Sequence, residues 1–185
     1  TGTAAGATST RLSVFWNRAT STTMASPTLN DAGNHQIGQI ITFRGVVGTG
    51  NPWNVTAGAV LAAADTAVSI PTVTTSVPDT LVVTIVSNAT DGVSATPQTA
   101  GWTNANLTGL TERTDINTDS GNGGGFAAAT GVMASPGATG ATTATLSTSS
   151  VQGLMTIALS PPLTVTINQA IGQADPAGVS PINFT

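Results

Sequence analysis

The chain has 185 residues, enough for one domain with a substantial core, yet only 6% of them are charged and the formal net charge is −4. Lys, Cys and Tyr are absent, which excludes disulfides, thiolate metal sites and thiol catalysis, and four arginines cannot neutralise the phosphates of a nucleic acid. A surface of Thr, Ser, Asn, Gly and Ala with so little charge repels neighbouring molecules weakly, so it favours protein–protein assembly. No apolar run approaches the roughly 20 residues that span a membrane.

The hydrophobic pattern predicts strands almost throughout. Residues 11–19 and 35–47 alternate with period two, and Ile37, Ile41 and Phe43 share one face of the second segment. Further strands are predicted over residues 66–73, 80–87, 126–134, 141–149 and 151–160. Residues 80–87 are apolar on both faces, which is typical of a central strand. Residues 56–67 are the single segment whose composition is compatible with a helical turn, and they are Ala-rich rather than amphipathic.

Turn residues such as Ser26-Pro27, Val77-Pro78-Asp79 and Asp91-Gly92 separate these segments. Short strands rich in Val, Ile and Thr at this spacing predict an all-β fold, a β-sandwich or jelly roll. We expect the apolar faces of the long strands to form the core. Its predicted members are Trp16, Ile41, Phe43, Val83, Ile85, Leu154 and Ile157.

The composition changes at Pro161-Pro162, because neither proline can donate a hydrogen bond to a sheet. We therefore predict a β-sandwich domain over residues 1–160 and a C-terminal extension of one or two strands over residues 161–185. In the extension, Leu163, Val165 and Ile167 alternate with threonines, which predicts a strand with one face to bury. We expect this strand to reach another copy of the chain, to fold back on its own domain, or to begin a second, immunoglobulin-like domain.

Several long segments resemble a module of predicted bacteriophage structural proteins and related bacterial proteins. They are RLSVFWNRAT, IGQIITFRGV, VPDTLVVTIVSNATD, GWTNANLTGLTERTD, SGNGGGFAAATGVMASPGATGATTATL and SVQGLMTIALSP, and they cover most of residues 11–161. The resemblance implies a virion context and no catalytic residues. The tail, TVTINQAIGQADPAGVSPINFT, is similar to the first strands of immunoglobulin-like repeats in large bacterial surface proteins.

The stretch DINTDSGNGGG, residues 115–125, carries the densest polar chemistry. Asp115, Asn117 and Asp119 place oxygen ligands at alternate positions, as in the start of a calcium loop. An EF-hand loop would require Gly at position 120 and Glu at position 126, where the chain has Ser120 and Phe126. The stronger interpretation is a polar turn leading into the strand that follows, with Gly123–Gly125 allowing a close approach of the backbone. A calcium site on the three oxygen ligands is the alternative.

Two tryptophans lie in Asn-rich surroundings, Trp53 in GNPWNVT and Trp102 in GWTNANL. Indole rings beside amides are typical of sugar-binding sites, so both residues are candidate glycan contacts. The alternative, which we favour, is that the tryptophans close the ends of the sandwich.

These patterns favour a non-enzymatic structural protein that works by assembly. We expect a component of a phage virion, such as a capsid decoration, tail or fibre protein. The alternative is a subunit or domain of a secreted bacterial surface filament or adhesin that exchanges strands between subunits, and a weaker one is a carbohydrate-binding module. The partners would be copies of itself or other virion or surface proteins, and the location would be the virion or the cell surface.

Overall fold

A computed structural model of the chain describes residues 2–4, 9–29, 36–91, 97–121 and 123–162, the first of these by backbone alone. Every regular element in this part of the chain is a strand, so the all-β prediction is confirmed. The described strands are β1 (Gly2–Ala4), β2 (Thr10–Leu12), β3 (Trp53–Ile70), β4 (Thr74–Thr75), β5 (Thr80–Asn88), β6 (Thr99–Thr103), β7 (Thr108–Thr118), β8 (Gly124–Met133), β9 (Gly137–Ala138) and β10 (Thr142–Leu159).

An antiparallel sheet with the order β3-β10-β5-β8-β7 forms the centre of the fold, and β6 also pairs with β10. Strand β5 is central and almost wholly buried, as its two apolar faces predict. Val82 and Val86 lie on one face of the sheet, here called face A. Val83 and Ile85 lie on the opposite face, called face B, because neighbouring strand residues point to opposite sides.

Face A is covered by parts of its own strands β3 and β10, which continue past the sheet and bend over it. Between Thr145 and Gln152 the pairing of β10 with β3 shifts register twice, and the strand pair bends there. Val68, Ile70, Ala144 and Leu146 then pack against Val86, Ala127 and Leu154 of the sheet. The sheet thus covers one face with its own extension, which gives the sandwich-like arrangement; a jelly-roll connectivity stays a prediction.

The bend is held by a buried side chain at the break in the pairing. Gln152 is fully buried, and its Nε2 donates to the carbonyl oxygens of Asp65 and Ala67, each at 3.0 Å. Beyond the bend, Thr156 Oγ1 donates to the carbonyl oxygen of Pro71, where the chain crosses face A. Side-chain hydrogen bonds therefore replace the ladder bonds that the register shift removes.

Face B is covered by the N-terminal part of the chain. Leu12 of β2 packs on Val83, Ile85, Ala128 and Leu159. It lies close to the sheet because position 153 is glycine: a Cβ there would be 2.7 Å from Ser87 Oγ and 3.2 Å from Leu12 Cβ. Half-buried side chains from the residues before β3 complete the cluster, among them Ile41, Phe43 and Val46.

Several predicted elements differ from the structure. Residues 56–67, the one segment compatible with a helical turn, are instead the middle of β3 and pair along β10. The strands predicted over residues 141–149 and 151–160 are one strand, β10. Strands β6 and β7 were not predicted, since their Gly, Thr, Asn and charged residues give no apolar alternation.

The first N-terminal strand was predicted too long, because only residues 10–12 are strand where a strand over residues 11–19 was expected. The second was predicted over residues 35–47, and no described residue from 36 to 47 is strand. Of the predicted core, Val83, Ile85 and Leu154 are buried, while Ile41, Phe43 and Ile157 are half-buried. Trp16 is 50% exposed, so its placement in the core is wrong. It lies beyond β2 on a segment that face B only partly contacts.

Candidate assembly surface

Large exposed hydrophobic side chains are concentrated in the N-terminal segment. Among the described residues there are seven of them, and all but Val60 belong to residues 14–40. Phe15 is 79% exposed and Ile40 is 69% exposed. We call the six residues the apolar N-terminal surface: Val14, Phe15, Trp16, Met24, Leu29 and Ile40.

The backbone beneath this surface has no strand partner among the described residues. Residues 13–29 and 37–46 make no backbone–backbone hydrogen bond to any other described residue, and Val47 makes one, from its N–H to the carbonyl oxygen of Ser160. Residues 13–19 and 37–46 alternate in sequence as a strand does. Unpaired amides and carbonyls beside exposed apolar side chains are the features that a partner strand or surface would satisfy.

The inward side of the same segment is fixed to the domain. Arg18 donates from Nη1 to the carbonyl oxygen of Val47 at 2.7 Å and from Nη2 to that of Gly50 at 3.0 Å. The Trp16 ring meets the Trp53 ring edge-on, with centroids 5.5 Å apart and planes at 84°. The exposed side chains are therefore presented by an anchored segment.

The second open feature is the outer edge of β3. Strand β3 has 18 residues, and no other described strand pairs with the edge that faces away from β10. Its pairing with β10 runs in unbroken register from Val55 to Leu61. One charged residue, Asp65, occurs in the whole strand. Long edges with regular pairing and little charge accept further strands.

The opposite edge of the sheet, β7, is protected. Its pairing with β8 breaks register between Thr108 and Thr111 and again between Glu112 and Thr114, and it carries the charges of Glu112 and Arg113. Bulges and charges are the usual devices that prevent pairing at an edge. The contrast between the two edges singles out β3.

The stretch 115–125 is a β-hairpin connection. Asp115 and Asn117 lie in β7, Ser120 and Gly121 lie in a bend and turn, Gly123 donates its N–H to the carbonyl oxygen of Ser120, and β8 begins at Gly124. Gly123 has a φ of 62°, and a Cβ there would be 2.5 Å from Asp91 Cα. The predicted turn and close backbone approach are therefore confirmed.

Asp115 has a structural role in this hairpin. Its Oδ2 accepts the N–H groups of Gln98 at 2.9 Å and Thr99 at 2.6 Å, which ties the start of β6 to β7. Asn117 is buried and Asp119 is exposed. Within the described ranges, no three His, Cys, Asp or Glu side chains are grouped to hold a metal ion. The calcium site on Asp115, Asn117 and Asp119 stays a prediction that no contact supports.

The two candidate glycan contacts lie on opposite faces of the sheet. Trp53 packs on the face B cluster, whereas Trp102 packs on the face A cluster. Trp102 Nε1 donates to Glu112 Oε2 at 2.6 Å. Because the sheet separates the two rings, they cannot form one site, and both fit the interpretation that tryptophans close the sandwich.

The predicted assembly residues Leu163, Val165 and Ile167 lie outside the described residues, as does the rest of the extension beyond residue 162. The structure does place the point from which the extension leaves. Ser160 donates its N–H to the carbonyl oxygen of Pro52 at 2.9 Å, and its carbonyl oxygen accepts the N–H of Val47 at 2.9 Å. The extension thus leaves the domain beside the first residue of β3.

Comparison with known protein families, curated proteins and solved structures found no match to this chain. Within the described part of the chain, no helix is long and apolar enough to cross a membrane.

Proposed function

We propose that this protein is a non-enzymatic structural subunit that works by assembly. The observation that carries the proposal is the apolar N-terminal surface, six large hydrophobic side chains exposed on a segment whose backbone pairs with no described strand. Burying a side chain of this size stabilises a complex by roughly 1.5–3 kcal/mol, so covering even Phe15 and Ile40 is a substantial gain. The low charge of the chain leaves little repulsion to oppose it.

The acidic and aromatic side chains that could support other functions have structural partners. Asp115 holds the start of β6 through two amides, and Glu112 accepts the indole N–H of Trp102. Trp53 and Trp102 are separated by the sheet. These contacts favour a structural protein over a hydrolase or a carbohydrate-binding module.

The resemblance of residues 11–161 to bacteriophage structural modules supports a virion component, such as a decoration, tail or fibre protein. The alternative is a subunit of a bacterial surface filament or adhesin, which the tail's similarity to immunoglobulin-like surface repeats supports. Negative-stain images of the purified assemblies test the choice. Phage-like heads, tails or tubes support the first context, and bare filaments support the second.

Assembly itself is tested with a double variant of the apolar N-terminal surface, Phe15→Ser with Ile40→Ser, in sedimentation velocity. Both side chains are mostly exposed, so the variant should keep the β-rich circular dichroism of the parent and lose assembly. The matched control is Phe15→Leu with Ile40→Val, which keeps the apolar character and should still assemble. A parent chain that remains monomeric at every concentration contradicts the proposal, and so does a serine variant that assembles as the parent does.

A further inference from the structure

The open edge of β3 has the dimensions of a receptor for one short strand. From Val55 to Leu61 its pairing with β10 is regular, so its outward N–H and C=O groups follow regular strand spacing. Thr56, Gly58 and Val60 are exposed on one side of this stretch, and none of its residues is charged. A guest strand of about six residues would extend the sheet here with main-chain hydrogen bonds.

The same chain contains a segment just beyond the last described residue whose sequence predicts a strand. Residues 163–168, LTVTIN, place Leu163, Val165 and Ile167 on one side and two threonines on the other. Six residues at about 3.3 Å each span roughly 20 Å, which fits the regular stretch of β3. One apolar side would pack beside Val60 and leave the threonines in water.

The prolines that precede this segment favour a neighbouring molecule over its own domain. Ser160 is the last described residue with sheet-like hydrogen bonds, to Pro52 and Val47. To reach the outer edge of its own β3, the chain would have to reverse around Pro52 within a few residues. Pro161 and Pro162 disfavour that reversal, because a residue before proline is biased to extended conformations and proline itself fixes φ near −65°.

We propose that the outer edge of β3, over Val55–Leu61, receives the strand of residues 163–168 from a second copy of this chain. This inference rests on the proposed function of assembly and adds a second contact to the one made by the apolar N-terminal surface. Because the donor strand and the receptor edge are different surfaces, the contact is head-to-tail and generates a ring or an open filament. A series of such contacts between copies needs no charged side chains, which agrees with the low content of charged residues in the sequence.

The absence of cysteine allows a direct test in the full-length chain. One preparation carries Val60→Cys, and others carry Leu163→Cys, Val165→Cys or Ile167→Cys singly. When each is mixed with the Val60→Cys preparation and oxidised, a disulfide-linked heterodimer is expected for at least one apolar-side position, since facing side chains in a sheet are close enough. Thr164→Cys and Thr166→Cys are the matched controls on the other side of the strand and should give markedly less heterodimer.

Three results would overturn the inference. The doubly substituted chain Val60→Cys with Val165→Cys could form its disulfide within one molecule at high dilution, which would place the strand on its own domain. Val60→Cys alone could give homodimers as its main product, which would mean that two β3 edges pair with each other. A parent chain that assembles while no heterodimer forms would refute this contact and leave the proposed function standing, whereas a parent chain that never assembles refutes the proposed function itself.

Discussion

Replacing Gln152 with Met should lower the free energy of unfolding by about 2 kcal/mol. Gln152 is the side chain that bridges the bend between the two halves of β3 and β10. Met has nearly the same length and fills the same space, so the substitution removes two hydrogen bonds with little change in packing. The affected carbonyl oxygens are those of Asp65 and Ala67, immediately beyond the regular part of the β3 edge.

The magnitude follows from the surroundings of these atoms. A carbonyl group that loses its partner costs about 1–3 kcal/mol when it is buried. Here both bonds are only partly buried, and the side chains of Asp65 and Ala67 are exposed, so water can reach the carbonyls and the lower part of that range applies. Two such losses give about 2–3 kcal/mol. Gln152 Oε1 is buried without a partner among the described residues, so the substitution also removes an unsatisfied oxygen, which offsets part of the lost stability.

Urea denaturation followed by circular dichroism, at a concentration where the chain is monomeric, measures the change. Ser149→Ala is the matched control, because Ser149 is exposed in the same strand, and it should change the free energy of unfolding by less than about 0.5 kcal/mol. Gln152→Glu should cost more than Gln152→Met, because it places a carboxylate beside two carbonyl oxygens. If Gln152→Met is as stable as the parent, the side chain does not hold the bend.

Other expected outcomes concern the core, the hairpin and the assembly. Ile85→Ala should lower the free energy of unfolding by about 2–5 kcal/mol, measured by urea denaturation, because Ile85 is buried. Phe43→Ala should lower it by less, because Phe43 is half-buried, and an equal or larger loss for Phe43→Ala would contradict this difference in burial. Gly123→Ala should cost at least ~2 kcal/mol, because Ala is strained at a φ of 62° and its Cβ would meet Asp91; an unchanged melting temperature would refute this. Assembly should change little between low and moderate salt in sedimentation, because screening acts on charges that are scarce here, and collapse of the assemblies in modest salt would show that ion pairs hold them.

The sequence by itself determined the class of fold and its most central strand. Residues 80–87 are apolar on both sides, and only a strand covered on both faces accommodates that pattern, so β5 could be predicted with its burial. The connection between β7 and β8 could also be predicted, because polar residues and glycines in a row are typical of a turn. Both features depend on neighbours in sequence, which a pattern records directly.

The tertiary structure decided which alternating segments find partners. Residues 37–43 alternate as a strand does, yet in the described chain they cover face B with one side and pair with no strand. The Ala-rich residues 56–67 have a helical composition, but pairing along β10 makes them strand, since ladder bonds with a distant segment outweigh weak local propensity. For the same reason the candidate assembly surface could not be located from the sequence: whether Phe15 or the β3 edge is left uncovered depends on what the rest of the chain supplies to pair with it.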